Sequence, residues 1–498
     1  MRGPISSRGC KKGDHMARQG FEGGQLRFLT DKNVAEIHET ALRILEDVGL
    51  RVPLPEAVEA YRGGGARVGP DPDAVRIPVT MVEAALRSTP PKVRLCGRDA
   101  EQDIVLEGRK VYAGTGGAEI HVLDLETGAL RKATLLDVAR LARLVDGLPY
   151  IDFYIRPVEA QDVSPEKLDV NKYFASLCNT GKHVMGNVYG VEKVAEVIEM
   201  ASLIAGGREI LRERPFISFI TSWMLSPLKL NREVTAILME VVKHGFPVAL
   251  SSVAILGLTS PMTMAGNLAL THAEQLSGIV LAQLVRPGTP VVYGGCPGVI
   301  DMRTSTFSPG SIERQILNSA ISQMAQHIGV PNYNIGGITD SKLPDIQAGY
   351  EKGAGICLTA LAGSNYIHHA AGRIKDGVAY EQYVIDNEII GMAKHAVKGI
   401  AVSEETLAFR VISEVGPGGS FIAQSHTVKH FRNELFFPEL SDRNERTAWE
   451  AKGSLDGRER ARIEARRIIE THRPLPIPEN SIREIRERFD IVYDPFQD

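Results

Sequence analysis

Two adjacent histidines, His368 and His369, close the segment SNYIHHA that begins at Ser364. An imidazole can ligate a metal, move a proton near neutral pH or donate a hydrogen bond to a carboxylate, and it can also be a satisfied packing group. Successive residues of a regular strand point to opposite faces, so the two rings cannot share one interior metal. No HxH or HExxH occurs elsewhere, so nothing else supports a zinc site. Ile367 belongs against helices, which turns Tyr366 and His368 inward and His369 outward; a bulge would exchange the faces, and nearby glycines permit one. Lys182 and Lys342 are the Schiff-base candidates, but neither lies mid-strand in an apolar setting that would depress its pKa.

The elements that must position these groups alternate regularly. Strands are expected at VYAGTGG (from 111), IDFYIRP (151), KHVMGNV (182), PFISFITSW (215), FPVALSS (246), TPVVYGG (289), PNYNIGG (331) and SNYIHHA (364). Helices follow near Leu135, Pro165, Val191, Asn231, Met262, Ser311, Asp345 and Tyr380, mostly behind residues suited to a helix start. Gly181, Gly245, Gly329 and Gly363 suit the left-handed residue that closes a helix. Eight βα units in about 290 residues point to a (β/α)8 TIM barrel over residues 109–416. An α-rich region over 17–108 precedes it and a helical extension over 417–498 follows; residues 1–16 read as a leader. EIHVLDLETGALRKAT, from Glu119, reads as an inserted β-hairpin. The Arg-Glu alternation of RERARIEARRIIETHRP reads as a solvated helix face.

With 43% apolar and 24% charged residues, 57 basic against 61 acidic side chains and a formal net charge of −4, the chain has a globular composition and no basic character suited to nucleic acid. Five scattered cysteines without CxxC spacing suit free thiols in a reducing cytoplasm. The apolar runs are too short and Ser-rich to span a bilayer, so a cytoplasmic protein without membrane contact is expected.

Barrel chemistry gathers at the C-terminal strand ends. If the apolar parity of each strand faces the helices, then Asp152, Tyr154, Arg156, Asn187, Ser218, Ser222, Asn332 and Asn334 point inward. Rim aromatics Tyr112, Tyr154, Trp223, Tyr293, Phe307, Tyr333 and Tyr366 would together form an incomplete cage for a quaternary ammonium group, though each taken alone reads more readily as core than as cage. Glu119 and Asp301 would add negative charge. Gly116, Gly117, Gly294, Gly295, Gly336 and Gly337 crowd the same ends, giving clearance for a flat macrocycle or simply tight turns. The alternatives at this level are a metal- or Schiff-base-dependent lyase using His368, Asp340 or Lys342, and a non-catalytic betaine-binding barrel.

The strings YGGCPGVIDMRTSTFSPGSIE, GGITDSKLPDIQAGYEKGAGICLTALAGSNYI and YEQYVIDNEIIG resemble the trimethylamine methyltransferase superfamily, a likeness running from about Phe28 to Pro495. The resemblance implies a TIM-barrel enzyme that moves a methyl group from a methylated amine to the Co(I) corrinoid of a separate small protein. It implies no tightly bound cofactor, and a homo-oligomer is expected. The chain contains only the twenty common residues and so resembles the members lacking pyrrolysine, including glycine betaine methyltransferases, which turns the expectation from trimethylamine toward quaternary amines. No DxHxxG cobalamin motif is present.

Overall fold

A computed structural model describes residues 18–496. Its central sheet has nine strands, a short antiparallel one (Phe21–Glu22) paired with the first of eight parallel ones: β1 (Lys110–Ala113), β2 (Phe153–Ile155), β3 (His183–Gly186), β4 (Ile217–Thr221), β5 (Val248–Leu250), β6 (Val291–Gly294), β7 (Asn332–Ile335) and β8 (Tyr366–His368). Each pairs with its neighbour in chain order from β2 to β8, and β8 pairs with β1 through Tyr366↔Tyr112. A parallel bridge, Gly114↔Phe153, joins the end of β1 to β2. The sheet is curled, and the molecule is a mixed α/β fold.

A helix follows each strand: α1 (Leu135–Asp146), α2 (Pro165–Asn179), α3 (Val191–Ala205), α4 (Arg232–His244), α5 (Met264–Val285), α6 (Ile312–His327), α7 (Ile346–Leu361) and α8 (Tyr380–Lys398). All eight begin within two residues of the expected positions. Thr134 caps α1 and Asn231 caps α4 through their side chains, satisfying otherwise orphaned first-turn amides. Gly245, Gly329 and Gly363 adopt positive φ as expected, whereas Gly181 does not, because α2 ends in an extended Thr180.

The N-terminal helices Asp31–Arg43, Pro55–Gly63 and Val79–Ser88 pack on α5. That covering explains why α5, long and apolar enough by composition to cross a membrane, is mostly buried inside the protein. The inserted hairpin forms as His121–Leu123 paired with Leu130–Lys132, its turn closed by Gly128 at φ 70°. Helix Gly457–Thr471 is not merely a solvated face. It buries Ala461, Ala465 and Ile468, and Arg458 donates to the buried Glu381 of α8 at 3.1 Å. Cys96, Cys178, Cys296 and Cys357 are free thiols; Cys10 and the whole of the expected leader, residues 1–16, lie outside the described residues.

The interior of the curled sheet is itself apolar. Phe153, Ile155, Met185, Ala249, Val292, Tyr333, Ile335 and Tyr366 form one cluster with Val93, Leu95, Ile104 and Leu106 of a hairpin (Lys92–Leu95, Ile104–Glu107) that closes the N-terminal end. The rings of Phe153 and Tyr366 stack at 3.5 Å. The parity rule therefore fails where it assumed a polar interior. Tyr154 faces the helices and donates to the carbonyl of Val138 in α1 at 3.0 Å, and Asp152 pairs with Lys394 of α8 at 2.6 Å. Asn332 and Asn334 also face outward, the latter against the hydroxyls of Ser322 (2.8 Å) and Ser364 (3.0 Å). Ser218 does point inward, 2.6 Å from Nε2 of His183.

Candidate functional site

The strand β8 ends at His368, whose ring points inward as expected; His369 does not take the next strand position. At φ 55° it enters the left-handed region, which a residue with a side chain rarely occupies without tertiary support. The turn carries the His369 ring round to its neighbour, so the two Nδ1 atoms lie 3.0 Å apart with the rings nearly perpendicular. The expectation that His369 serves the helix layer is thus corrected: alternation holds only while the strand continues. An Nδ1–Nδ1 contact of this length requires one ring to carry the proton there and the other to accept it.

Three further groups complete the inner wall. Cys296 Sγ lies 3.9 Å from His368 Nε2, 3.6 Å from the Tyr333 hydroxyl and 3.6 Å from the Ser251 hydroxyl. The Tyr333 ring meets His368 edge-on at 4.7 Å. His368, His369 and Cys296 are all buried, with 4 to 6% exposure. Burial, reinforced by the charges of Arg314 and Arg373, pushes His368 down to about 3, and His369 is lowered by burial first and then by its neighbours His368, Arg373 and Arg314. Burial raises the Cys296 thiol. The wall is therefore neutral around pH 7, with neither a thiolate nor an imidazolium.

Over it lies a cap. Strands Arg373–Ile374 and Gly377–Ala379 pair with each other, and the latter pairs with the hairpin strand His121–Leu123. Glu119 meets Arg373 across this cap at 2.5 Å, and burial raises the Glu119 carboxyl. Beside β2 and β3, Lys172 is held by Asp169 at 2.6 Å, and Arg156 by Glu159 at 2.6 Å; desolvation brings Lys172 down to about 8. Arg156 also donates to Asn187.

Other expected site residues are scattered. Trp223 packs between β4 and α5, where a Cβ on Gly278 would lie 2.5 Å from its ring. Tyr293 faces outward, its hydroxyl 2.8 Å from His272. Tyr112 is interior but near the N-terminal end, donating to the carbonyl of Arg18. Asp301 lies on an exposed hairpin (Ile300–Asp301, Thr306–Phe307), paired with Arg303 at 2.7 Å. The glycines leave no common clearance. A Cβ on Gly294 would lie 1.7 Å from the Tyr333 ring, on Gly295 2.7 Å from Ile321, on Gly336 2.6 Å from Ile367, on Gly337 2.5 Å from the Ala370 carbonyl, and on Gly117 2.7 Å from that of Pro157.

Lys182 is buried, and desolvation brings it down to about 7, against the expectation. It lies at the start of β3, away from the cap, and donates to the carbonyls of Val145 and Leu148. Lys342 is exposed, and Asp340 is paired with Lys375 at 2.8 Å. Among the described residues no group of three or more His, Cys, Asp or Glu is arranged to hold a metal.

Sequence reasoning missed Cys296, Arg314 and Arg373. Arg314 did leave a signal: it occupies the first turn of α6, where acidic residues are the usual choice.

With this geometry in place, comparison with known proteins is informative. The family model for trimethylamine methyltransferase (MTTB) matches residues 10–490. Trimethylamine methyltransferase MttB of Desulfitobacterium hafniense is 38% identical over 95% of this chain and 96% of its own length. Glycine betaine methyltransferase of the same species is 35% identical over 90% and 93%. The solved monomethylamine methyltransferase of Methanosarcina barkeri aligns over 92% of this chain and 96% of its own with a TM-score of 0.50 and 11% identity, a likeness of fold alone.

Proposed function

The chain belongs to the trimethylamine methyltransferase family, a group acting on methylated amines, and from that premise we propose that it moves a methyl group from a betaine-like quaternary amine to the Co(I) corrinoid of a separate small protein. The observation that carries this reading is the neutral, desolvated wall of His368, His369, Cys296 and Tyr333 at the strand ends. A quaternary ammonium group brings its own leaving group, so its displacement needs no acid. The electron pair of Co(I) forms the new bond to the methyl carbon, and the pair of the broken C–N bond stays on nitrogen, which leaves as a neutral tertiary amine.

The protein's task is alignment, which is where most of the rate advantage of a preorganised site arises. The wall must not over-stabilise the cation, because positive charge on nitrogen falls in the transition state. Tyr333 meets His368 edge-on and the face of Phe307 carries the Arg314 guanidinium at 5.7 Å, so the aromatic surface here falls short of a closed cage. With His368 and Cys296 each 4% exposed, donor and acceptor reach the wall only when the cap carrying Glu119 and Arg373 moves aside. We read the sheet as a closed (β/α)8 barrel, a reading supported by the Gly114↔Phe153 bridge. The four free cysteines suit a cytoplasmic setting. The test is formation of methylcobalamin from free Co(I) cobalamin across a panel of quaternary and tertiary amines.

A further inference from the structure

Three histidines meet on the outer side of the sheet. His272 of α5 is fully buried, with Nδ1 2.8 Å from the Tyr293 hydroxyl of β6 and Nε2 2.8 Å from Nδ1 of His38 on the N-terminal helix Asp31–Arg43. His38 is half-buried, and the ring of the exposed His327, which ends α6, lies 5.1 Å from its own. One hydrogen-bonded chain thus runs from a central strand, through its covering helix, to the outermost layer.

The buried end sets the direction of that chain. The Tyr293 hydroxyl has no other partner among the described residues, so its hydrogen goes to Nδ1 of His272, and the proton of that ring sits on Nε2 and is donated to Nδ1 of His38. His38 therefore docks as a neutral ring with a lone pair turned toward α5. A proton arriving on that nitrogen would set two N–H groups against each other. Reversing the chain would accommodate it, but would leave the Tyr293 hydroxyl buried without an acceptor, and an orphaned buried donor is costly. Burial first, then the charge of His327, lowers the His38 pKa, and burial holds His272 well below its usual value.

Among the described residues, His327 is the charged neighbour whose field reaches His38. On the other elements packed against the helix, Glu274 of α5 accepts from the Ser226 hydroxyl and the Leu228 amide, Glu83 pairs with Arg87 and Glu46 with Arg67. Asp47 and Glu313 are exposed, and Arg314 sits at the opposite end of α6 from His327. On the helix itself Asp31 pairs with Arg27 and Glu36 with Lys32, while Glu39 and Arg43 are exposed.

We propose that the Tyr293–His272–His38 chain is a pH-sensitive latch, whose protonation at His38 releases helix Asp31–Arg43 from α5. Val34, Ile37 and Ala41 then leave their buried positions, and one face of the apolar α5 is uncovered. The sign follows from the neutral docked ring. Docking is at full strength above the ordinary imidazole value of 6.5 and weakens as pH falls below it, by about tenfold per pH unit until the docked ring also titrates. The latch is independent of the methyl-transfer reading.

Hydrogen exchange of the whole protein, followed by mass spectrometry and corrected for intrinsic exchange rates, measures the release. Between about pH 7.5 and about pH 5.5 the protection of helix Asp31–Arg43 should fall about tenfold more than that of helix Pro55–Gly63, which packs on the same α5 and carries no histidine. His38→Asn keeps an acceptor near the Nδ1 position but cannot be protonated, and should bring the two helices to within about threefold of each other. Tyr293→Phe removes the group that sets the direction of the chain, and should shrink the difference as well. A parallel fall of both helices in the wild-type protein overturns the proposal, as does an acid-induced loss at Asp31–Arg43 that persists in folded His38→Asn. Where His38→Asn does not fold, an undiminished difference in Tyr293→Phe overturns it by itself.

Discussion

A methyl group placed on Gly116 would lie 2.8 Å from the backbone nitrogen and Nδ1 of His369 and 2.9 Å from Nδ1 of His368. None of these atoms can retreat far, since the amide of His369 donates to the carbonyl of Thr115 and that of Ala370 to Gly114. The glycine is what lets two imidazoles occupy one corner. Gly116→Ala should therefore push the rings apart, lowering the methyl-transfer rate about 100-fold, as a misplacement of about 1 Å can do, and costing about 1–3 kcal/mol of stability through overpacking. Steady-state rates and thermal melting check this together. A variant with unchanged rate and melting temperature would show that the histidine contact has no role.

Elements hold that corner from behind. Lys352 of α7 and Asp386 of α8 are fully buried and paired at 3.0 Å, with Lys352 also donating to the carbonyl of Gly337 after β7, and Asp386 accepting from the amide of Gly372 after β8 at 2.7 Å. One ion pair thus ties together the loops that follow the last two strands. Lys352→Met should cost about 3–5 kcal/mol by leaving a buried carboxylate uncompensated, and adding Asp386→Leu should restore much of it. Denaturant unfolding measures both; a loss under about 1 kcal/mol in the single variant would contradict the role assigned to the pair. The eight strands and helices were legible in the sequence because period and caps are local signals. Inward and outward faces were not, because Tyr154 and Asn334 find polar partners in the helix layer, and Asn332 one at the start of the next strand, while Phe153 and Ile155 fill the interior. His368 was placed correctly because Ile367 fixes its strand to the last residue. His369 escaped because one backbone angle just beyond the strand carries no signature in residue type.

At the scale of the whole molecule, no residue from Lys398 to Arg460 is buried, although the segment forms helices Phe409–Val415 and Ser425–Glu434. Ile400 (90% exposed), Phe409 (76%) and Ile422 (84%) stand open to solvent. Helices this short draw their stability from packing, so this arm needs a covering surface. It leaves from the end of α8 near Lys394 and Asp152, at the start of β2 and opposite the cap, so an acceptor approaching the strand ends would not cover it. A second copy of the chain is the expected occupant. Light scattering should give a dimer or larger assembly, and the combined variant Ile400→Ser, Phe409→Ser, Ile422→Ser should shift it toward monomer; a wild-type monomer at micromolar concentration would contradict this. A quaternary amine carrying trideuterated methyl groups, mixed with the protein and Co(I) cobalamin, should yield trideuteromethylcobalamin and the tertiary amine in equal amounts, with trimethylamine reacting far more slowly. Demethylation of trimethylamine with no activity on any betaine, or no methylcobalamin from any donor, would contradict the proposed reaction.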